Sequence, residues 1–301
     1  MTLKRFELLK WASTFLKKHH RDENIGEILM CYRLHLNRTN LLSDIRNPLP
    51  EEDEAWIRER VTEHAVKGTP VQYMVGQAPF YGRYFKVTPV VLIPRQETEE
   101  LVYRVGTWAK KWFSEQRGLT VCDIGTGSGA IAVTLALEHP EWHVAAVDIS
   151  DAALRIAKEN AKELGASVDF RQGDLLEPLA GQPMDILVSN PPYITRPEMD
   201  VLSDTVKNYE PHLALFGGDD GLDFYRRILQ ALPRSAAKNP WRLIAFEIGA
   251  LQGKAVKNLI QETFPGRIET LTVEKDISGL DRNVMAVIRT ELEDKTSRSR
   301  A

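Results

Sequence analysis

Residues 119–139 read "LTVCDIGTGSGAIAVTLALEH", and the stretch changes character twice. "LTVCDI" is an apolar run of strand length. "DIGTGSGA", Asp123 to Ala130, is a glycine-rich turn, and "AIAVTLALEH" predicts a helix that stops before Pro140. In this setting small residues let the backbone approach a ligand closely, and the first N–H groups of the helix are free to meet it. The alternation then continues. "WHVAAVD" predicts a second strand ending at Asp148. "SDAALRIAKENAKELG" predicts a helix with Ser150 as N-cap and Gly165 just past its end. "SVDFRQ" and "MDILVSN" read as a third and a fourth strand, followed by a helix, the strand "WRLIAFEIG" and another helix. "IETLTVEK" and "NVMAVIRT" come last, with no room for a helix between them. Such alternation predicts an α/β fold: a mostly parallel, doubly wound sheet with helices on both faces and an antiparallel hairpin at one edge.

Upstream, residues 1–68 read as a small helical bundle. Phe6, Leu9 and Leu16, and Leu8, Trp11 and Phe15, fall near helical spacing. Ile25, Ile28, Leu29 and Tyr32 mark a second helix. Pro50 opens a third, which carries Ala55, Ile57, Val61 and Ala65 and ends at Gly68. Trp11, Phe15 and Ile28 are read as core. Up to Lys67 there are 12 Lys+Arg against 11 Asp+Glu, so this domain is nearly neutral and suits an interaction role. Residues 69–94, aromatic and β-branched with glycines at 76 and 82, predict a strand pair linking two domains. A helix from Glu97 to about Glu115 opens the larger domain, 95–290. The tail 291–301 is polar and expected to fray.

The chain of 301 residues carries a net charge of -3, which argues against tight, sequence-independent nucleic-acid binding. Cys31 and Cys122 are the only cysteines, too few for a disulfide framework or a thiolate zinc site. No signal-peptide core and no apolar run of about 18 residues is present, so a cytoplasmic protein is expected. "NRT" at 37–39 matches a glycosylation acceptor and is read as chance.

Asp148 closes the second strand 19 positions after Gly129, where a carboxylate can accept both hydroxyls of a ribose. Gly127, Gly129 and Ala132 also satisfy the dinucleotide fingerprint, so a nicotinamide dehydrogenase stays open on this motif alone. A phosphate loop of the G-x-x-x-x-G-K-[ST] kind and a metal-binding H-E-x-x-H are both missing from the sequence. Asp174, in "GDLL", follows the third strand and could reach an exocyclic amine, although a solvated loop aspartate fits equally well.

"SNPPYI", Ser189 to Ile194, ends the fourth strand on the same sheet edge as the glycine turn. Pro191 and Pro192 remove two N–H donors and keep their carbonyls, and Pro191 holds Asn190 extended. The resulting loop is stiff and rich in acceptors. The Asn190 side-chain oxygen and a main-chain carbonyl could take the two hydrogens of a planar NH2 group, with the Tyr193 ring stacked behind it. Such contacts favour an amide nitrogen most as it becomes tetrahedral.

Together, "DIGTGSG", Asp148 and "NPPY" resemble the S-adenosylmethionine-dependent methyltransferases that act on amino nitrogens. "VVLIPRQETEELV", "PVQYMVGQAPFYG", "YEPHLALFGGDDGLDFYRRI" and "FEIG" resemble the bacterial release factor glutamine methyltransferases, the HemK-like or PrmC family, from about residue 70 to 290. Two positions depart from the family pattern. Gln96 stands where proline is usual, and Leu175 where some members have an aromatic. The resemblance implies a class I methyltransferase fold, Rossmann-like with a seven-stranded sheet. It implies that Gly125, Thr126, Gly127, Ser128 and Gly129 cradle the methionine part of S-adenosyl-L-methionine, Asp148 the ribose, and Asp174 and Leu175 the adenine. Asn190 would adjoin that cofactor, and Asn190, Pro191, Pro192 and Tyr193 would hold the substrate glutamine. The implied reaction methylates the side-chain N5 of the glutamine in the Gly-Gly-Gln motif of class 1 peptide chain release factors and leaves S-adenosyl-L-homocysteine. No metal, general base, membrane or direct nucleic-acid contact is expected, and the chain is expected to be a monomer. Arg95 would pair with the cofactor carboxylate or order the linker, and Glu247 would be structural. A ribosomal-protein glutamine methyltransferase and a DNA or RNA amino-methyltransferase use the same turn and remain alternatives, as does a non-catalytic binding protein on the same fold.

Overall fold

The computed structural model describes residues 3–114, 116, 118–232 and 239–290. The expected frayed tail at 291–301 lies outside them. The chain divides into two units: one runs to Gln77 and takes in Ser203–Tyr209, the other holds the rest.

The first unit is built from α1 (Arg5–Lys18), α2 (Ile25–Arg33), α3 (Arg38–Ser43), α4 (Glu51–Lys67) and α5 (Val71–Val75). Acidic residues fill the first turn of α4, where they complement the helix dipole, and Gly68 closes it in the left-handed conformation. Leu8, Ala12, Leu16, Leu29, Ile57 and Val61 form the core. Two expectations change here. Trp11 and Phe15 are half-buried and pack against the rim of this core, while Ile28 is 42% exposed, because the innermost face of α1 and α2 runs through Leu8, Ala12, Leu16 and Leu29. The segment 71–75, read as strand, is helix α5, between Pro70 and the left-handed Gly76. Asn37 of the "NRT" stretch caps α3, its side chain accepting from the Asn40 N–H.

In the second unit, β1 (Gln77–Phe80) and β2 (Arg83–Lys86) form the expected hairpin, and α6 (Gln96–Trp112) ends slightly before its expected limit. The alternating core follows: β3 (Thr120–Ile124), α7 (Ala130–Glu138), β4 (His143–Asp148), α8 (Asp151–Leu164), β5 (Asp169–Gln172) and β6 (Ile186–Ser189). Ser150 caps α8, and Gly165 ends it. Then come α9 (Arg196–Val201), α10 (Asp204–Lys207, in the first unit), α11 (Asp223–Ala231), β7 (Trp241–Glu247), α12 (Gly253–Thr263), β8 (Ile268–Lys275) and β9 (Asp281–Arg289).

The seven strands lie in the order β5-β4-β3-β6-β7-β9-β8. The first five are parallel, and β9 runs antiparallel between β7 and the edge strand β8. Successive strand residues feed opposite cores. Val121, Ile186 and Leu243 pack with α6 and α7, whereas Cys122, Leu187 and Ile244 pack with α11 and α12. Burial on both faces explains why these strands read as unbroken apolar runs; each such side chain contributes roughly 1.5–3 kcal/mol. From β3 the chain winds outward to β5, then returns to lay β6 on the other side of β3. That reversal opens a crevice at the carboxyl ends of β3 and β6, the place where open α/β sheets bind ligands.

Candidate active site

The glycine turn leaves β3 and the Asn-Pro-Pro turn leaves β6, so the strand reversal alone makes them neighbours. Asp123 pairs with Val188 in the β3–β6 register, and the Ser189 hydroxyl donates to the Ile124 carbonyl at 2.6 Å, tying the two strand ends together. Between the turns lies a cavity of about 250 Å³. Gly125, Gly127, Asp148, Asp174, Leu175, Asn190, Pro191 and Pro192 all line it. Thr126, Ser128, Gly129 and Tyr193 do not. They shape the site from behind.

Gly125 and Gly127 have φ of +75° and +55°, and a Cβ on either would meet nothing within 4 Å. They therefore keep the crevice open and let the backbone turn left-handed. Gly129 works differently, since its Cβ would lie 3.0 Å from that of Ala157, so it permits close packing on α8. Thr126 and Ser128 are buried. The Thr126 hydroxyl donates to Asp123 Oδ2 at 2.6 Å, while burial pushes the Asp123 carboxyl up to about 7. Asn160 of α8 donates to the Ser128 carbonyl at 2.8 Å and clamps the turn from below. Asp148 accepts from the Gly127 N–H at 2.8 Å and from the Ser150 N–H at 2.9 Å. Burial raises its pKa, and these N–H bonds oppose the rise. Each carboxylate oxygen keeps a second lone pair for a ligand hydroxyl. Asp174 is ion-paired with Arg227, and Leu175 beside it holds a left-handed φ of +50° at the cavity wall.

Across the crevice, the Asn190 Nδ2 donates to the Thr98 hydroxyl at 3.2 Å. The Thr98 and Asn190 side chains both face the Glu247 carboxyl and favour its charged form, while burial, the larger effect, pushes it up to about 7. With its NH2 so engaged, Asn190 offers its oxygen to an incoming ligand. Tyr193 packs against the core shared with α11 and α12, and burial raises its phenol to about 12, so it stays neutral. Its carbonyl accepts from Gln252 Nε2 at 2.9 Å. Arg95 pairs with Glu210 at 2.5 Å and donates to the Ile93 carbonyl, and Glu210 also accepts from the Ile93 N–H. The guanidinium thus orders the segment before α6. Thr98, Gln252, Asn160 and Glu210 were not singled out by the sequence reading. Thr98 and Glu210 lie within the stretches "VVLIPRQETEELV" and "YEPHLALFGGDDGLDFYRRI", but each of the four meets its partner across a large sequence gap, which no local pattern reveals.

The residues present fit a nucleoside bearing an amino-acid tail: an open glycine turn, a carboxylate at the next strand end and an apolar wall. Among the described residues, no cluster of three or more His, Cys, Asp or Glu is placed to hold a metal ion.

The chain matches the model of the methyltransferase small domain over residues 110–217 and that of the PrmC N-terminal domain over residues 7–76. It is 50% identical to a Bacillus cereus protein named release factor glutamine methyltransferase, over 93% of this chain and 98% of that one. A Bacillus subtilis protein of the same name is 49% identical over 94% and 97%. Among solved structures, the hMettl16 catalytic domain in complex with an RNA hairpin superposes with a TM-score of 0.51 at 15% identity, covering 81% of this chain and 83% of that one, which bears on the fold alone. Half-identical to proteins of that name along nearly its whole length, the chain belongs to the family of release factor glutamine methyltransferases.

Proposed function

We propose that this protein methylates the N5 of the glutamine in the Gly-Gly-Gln motif of class 1 peptide chain release factors, with S-adenosyl-L-methionine as methyl donor and S-adenosyl-L-homocysteine as product. The observation that carries the reading is the fixed amide of Asn190, its oxygen offered across the β3–β6 crevice from the open glycine turn.

Bound there, S-adenosylmethionine supplies an electrophilic methyl on a sulfonium. The protein's own part is orientation. Asn190 Oδ1 accepts one hydrogen of the glutamine NH2, and a carbonyl of the proline turn accepts the other. Both bonds strengthen as the nitrogen loses conjugation with its carbonyl, so they favour the transition state over the bound amide. One N–C bond forms as the C–S bond breaks, and the surplus proton on nitrogen leaves to water. Tyr193 is a poor base, being neutral up to about pH 12. The carboxylates of Asp123 and Glu247 are buried, and their roles are structural. In this reading Gly125–Gly129 hold the methionine part of the cofactor, Asp148 the ribose, Asp174 and Leu175 the adenine edge, and the helical unit recognises the release factor. The enzyme acts in the cytoplasm as a monomer, on protein rather than nucleic acid.

Asp148→Ala removes the ribose acceptor and the partner of the Gly127 N–H together. We expect S-adenosylhomocysteine affinity, measured by calorimetry, to fall about 10–100-fold, the equivalent of one or two charge-assisted hydrogen bonds. Affinity within twofold of wild type would remove Asp148 from the cofactor site. The substrate is tested by incubating the enzyme with methyl-labelled S-adenosylmethionine and, in parallel, purified release factor, ribosomal protein or DNA. Label is expected on the release factor and lost when its Gly-Gly-Gln glutamine is replaced. Label on ribosomal protein or DNA instead would overturn the proposal.

A further inference from the structure

An asparagine side chain is pseudo-symmetric. Rotated by half a turn, it would present NH2 rather than oxygen to a substrate amide, and two NH2 groups would then face each other. Something must decide between the two orientations, and it lies behind the turn rather than in it. Thr98, on the first turn of α6, is 4% exposed, and Glu247, the last residue of β7, is 1% exposed. Asn190 donates to Thr98 Oγ1, and the Glu247 carboxyl behind them is favoured in its charged form by both side chains. In that arrangement the Asn190 NH2 is turned toward the threonine and the carboxyl, and Glu247 is the acceptor end. A rotated Asn190 would set its own oxygen toward the carboxylate in place of a donor.

The far side of Glu247 is consistent with this polarity. Its Oε2 is buried with no hydrogen-bond partner, and so is Asn283 Oδ1. The two residues stand directly opposite each other in the β7–β9 register, so their side chains share one face of the sheet. The carboxyl oxygen other than Oε2 is an acceptor toward Thr98 and Asn190 in the neutral and in the ionised form alike. The remaining charged or titratable groups around it are Arg282 from β9, Glu97 from α6, Tyr193 from the turn and Tyr225 from α11.

We propose that Thr98 and Glu247 are positioning residues that set the orientation of the Asn190 amide and so keep its oxygen toward the substrate nitrogen. The inference rests on the role given to Asn190 above. It adds that the specificity of this acceptor for an NH2 group is imposed from α6 and β7, elements far from the Asn-Pro-Pro turn in the chain.

The test is a double-mutant cycle on release factor methylation, run under single turnover with saturating labelled S-adenosylmethionine. Thr98→Val keeps the shape and removes the hydroxyl, and is expected to slow methyl transfer about tenfold, with S-adenosylhomocysteine affinity within twofold of wild type. Thr98→Ser restores the hydroxyl and is expected to recover the rate to within twofold. Added to Asn190→Ala, Thr98→Val is expected to cost less than a further twofold, because the amide it orients is gone. A Thr98→Val rate within twofold of wild type, or an undiminished tenfold loss in the Asn190→Ala background, would overturn the inference. Should Thr98→Val not fold, Thr98→Ala, which also removes the hydroxyl, runs the same cycle with the same two outcomes. Absence of label on the release factor with wild-type enzyme would instead count against the proposed function, so the two failures are distinguishable.

Discussion

Asn190→Ala is expected to lower the rate of release factor methylation by about 10²–10³-fold while S-adenosylhomocysteine affinity stays within threefold. The size follows from what the residue does. We propose it as an acceptor aimed at the reacting nitrogen, and removing one preorganised partner of a developing charge in a water-poor site costs about 3–4 kcal/mol in the barrier. The cofactor should be little affected, because the elements proposed to bind it lie on the other side of the crevice: the open glycines 125 and 127 and the Asp148 carboxylate, held by N–H bonds from Gly127 and Ser150. The fold should tolerate the change. The truncated residue sits half-buried at a strand end, and Ser189 still ties β6 to β3 through the Ile124 carbonyl. Truncation does release Thr98 from one partner, so a loss of about 1 kcal/mol in stability is expected beside the kinetic effect. Turnover above a tenth of wild type would mean that another group holds the substrate amide.

The two turns that make this site were legible because each is local. Glycines that need a left-handed backbone, prolines that cannot continue a strand and a capping serine before α8 are all decided within a few residues, and the structure has them where the sequence puts them. Even the neighbourhood of the turns could be read, since a parallel sheet that reverses its winding after β5 must bring β6 beside β3. What the sequence concealed is non-local. Val71–Val75 is β-branched and aromatic, yet five residues between Pro70 and Gly76 close a helical turn, because tertiary packing against the helical unit outweighs weak propensity. Trp11 and Phe15 fall at helical spacing, but so do Leu8, Ala12 and Leu16, and periodicity alone does not say which stripe turns inward. Thr98, Gln252 and Glu210 hold the site together through partners on distant elements, and a lone polar residue in a helix or loop gives no sign of that.

Gly221→Ala is the second large effect, and it tests whether the "FGGDDG" stretch works as the back wall of the Asn-Pro-Pro turn. A Cβ at 221 would lie 2.3 Å from the Tyr193 carbonyl oxygen and 2.4 Å from Gln252 Nε2. Both atoms are already committed, as Gln252 bridges the Tyr193 carbonyl at 2.9 Å and the Gly221 carbonyl at 3.3 Å. Gly217 is equally tight, its Cβ position being 2.5 Å from the Pro192 carbonyl oxygen. The alanine methyl must therefore push the turn forward or break the glutamine bridge, and either moves Asn190 relative to the cofactor. A displacement of about 1 Å at a reacting pair costs on the order of 10²-fold in rate, and that is the loss expected here, with cofactor affinity unchanged. Backbone strain alone is separated by Gly82→Ala. Gly82 has the same φ of +73°, but its Cβ would meet nothing within 4 Å. That variant should lose about 1 kcal/mol of stability and keep full activity. If Gly221→Ala behaves like Gly82→Ala in the methylation assay, the loop is ordinary surface and the turn is rigid on its own prolines; if it loses activity while its melting temperature matches that of Gly82→Ala to within a few degrees, the position of the Asn-Pro-Pro turn is set from behind.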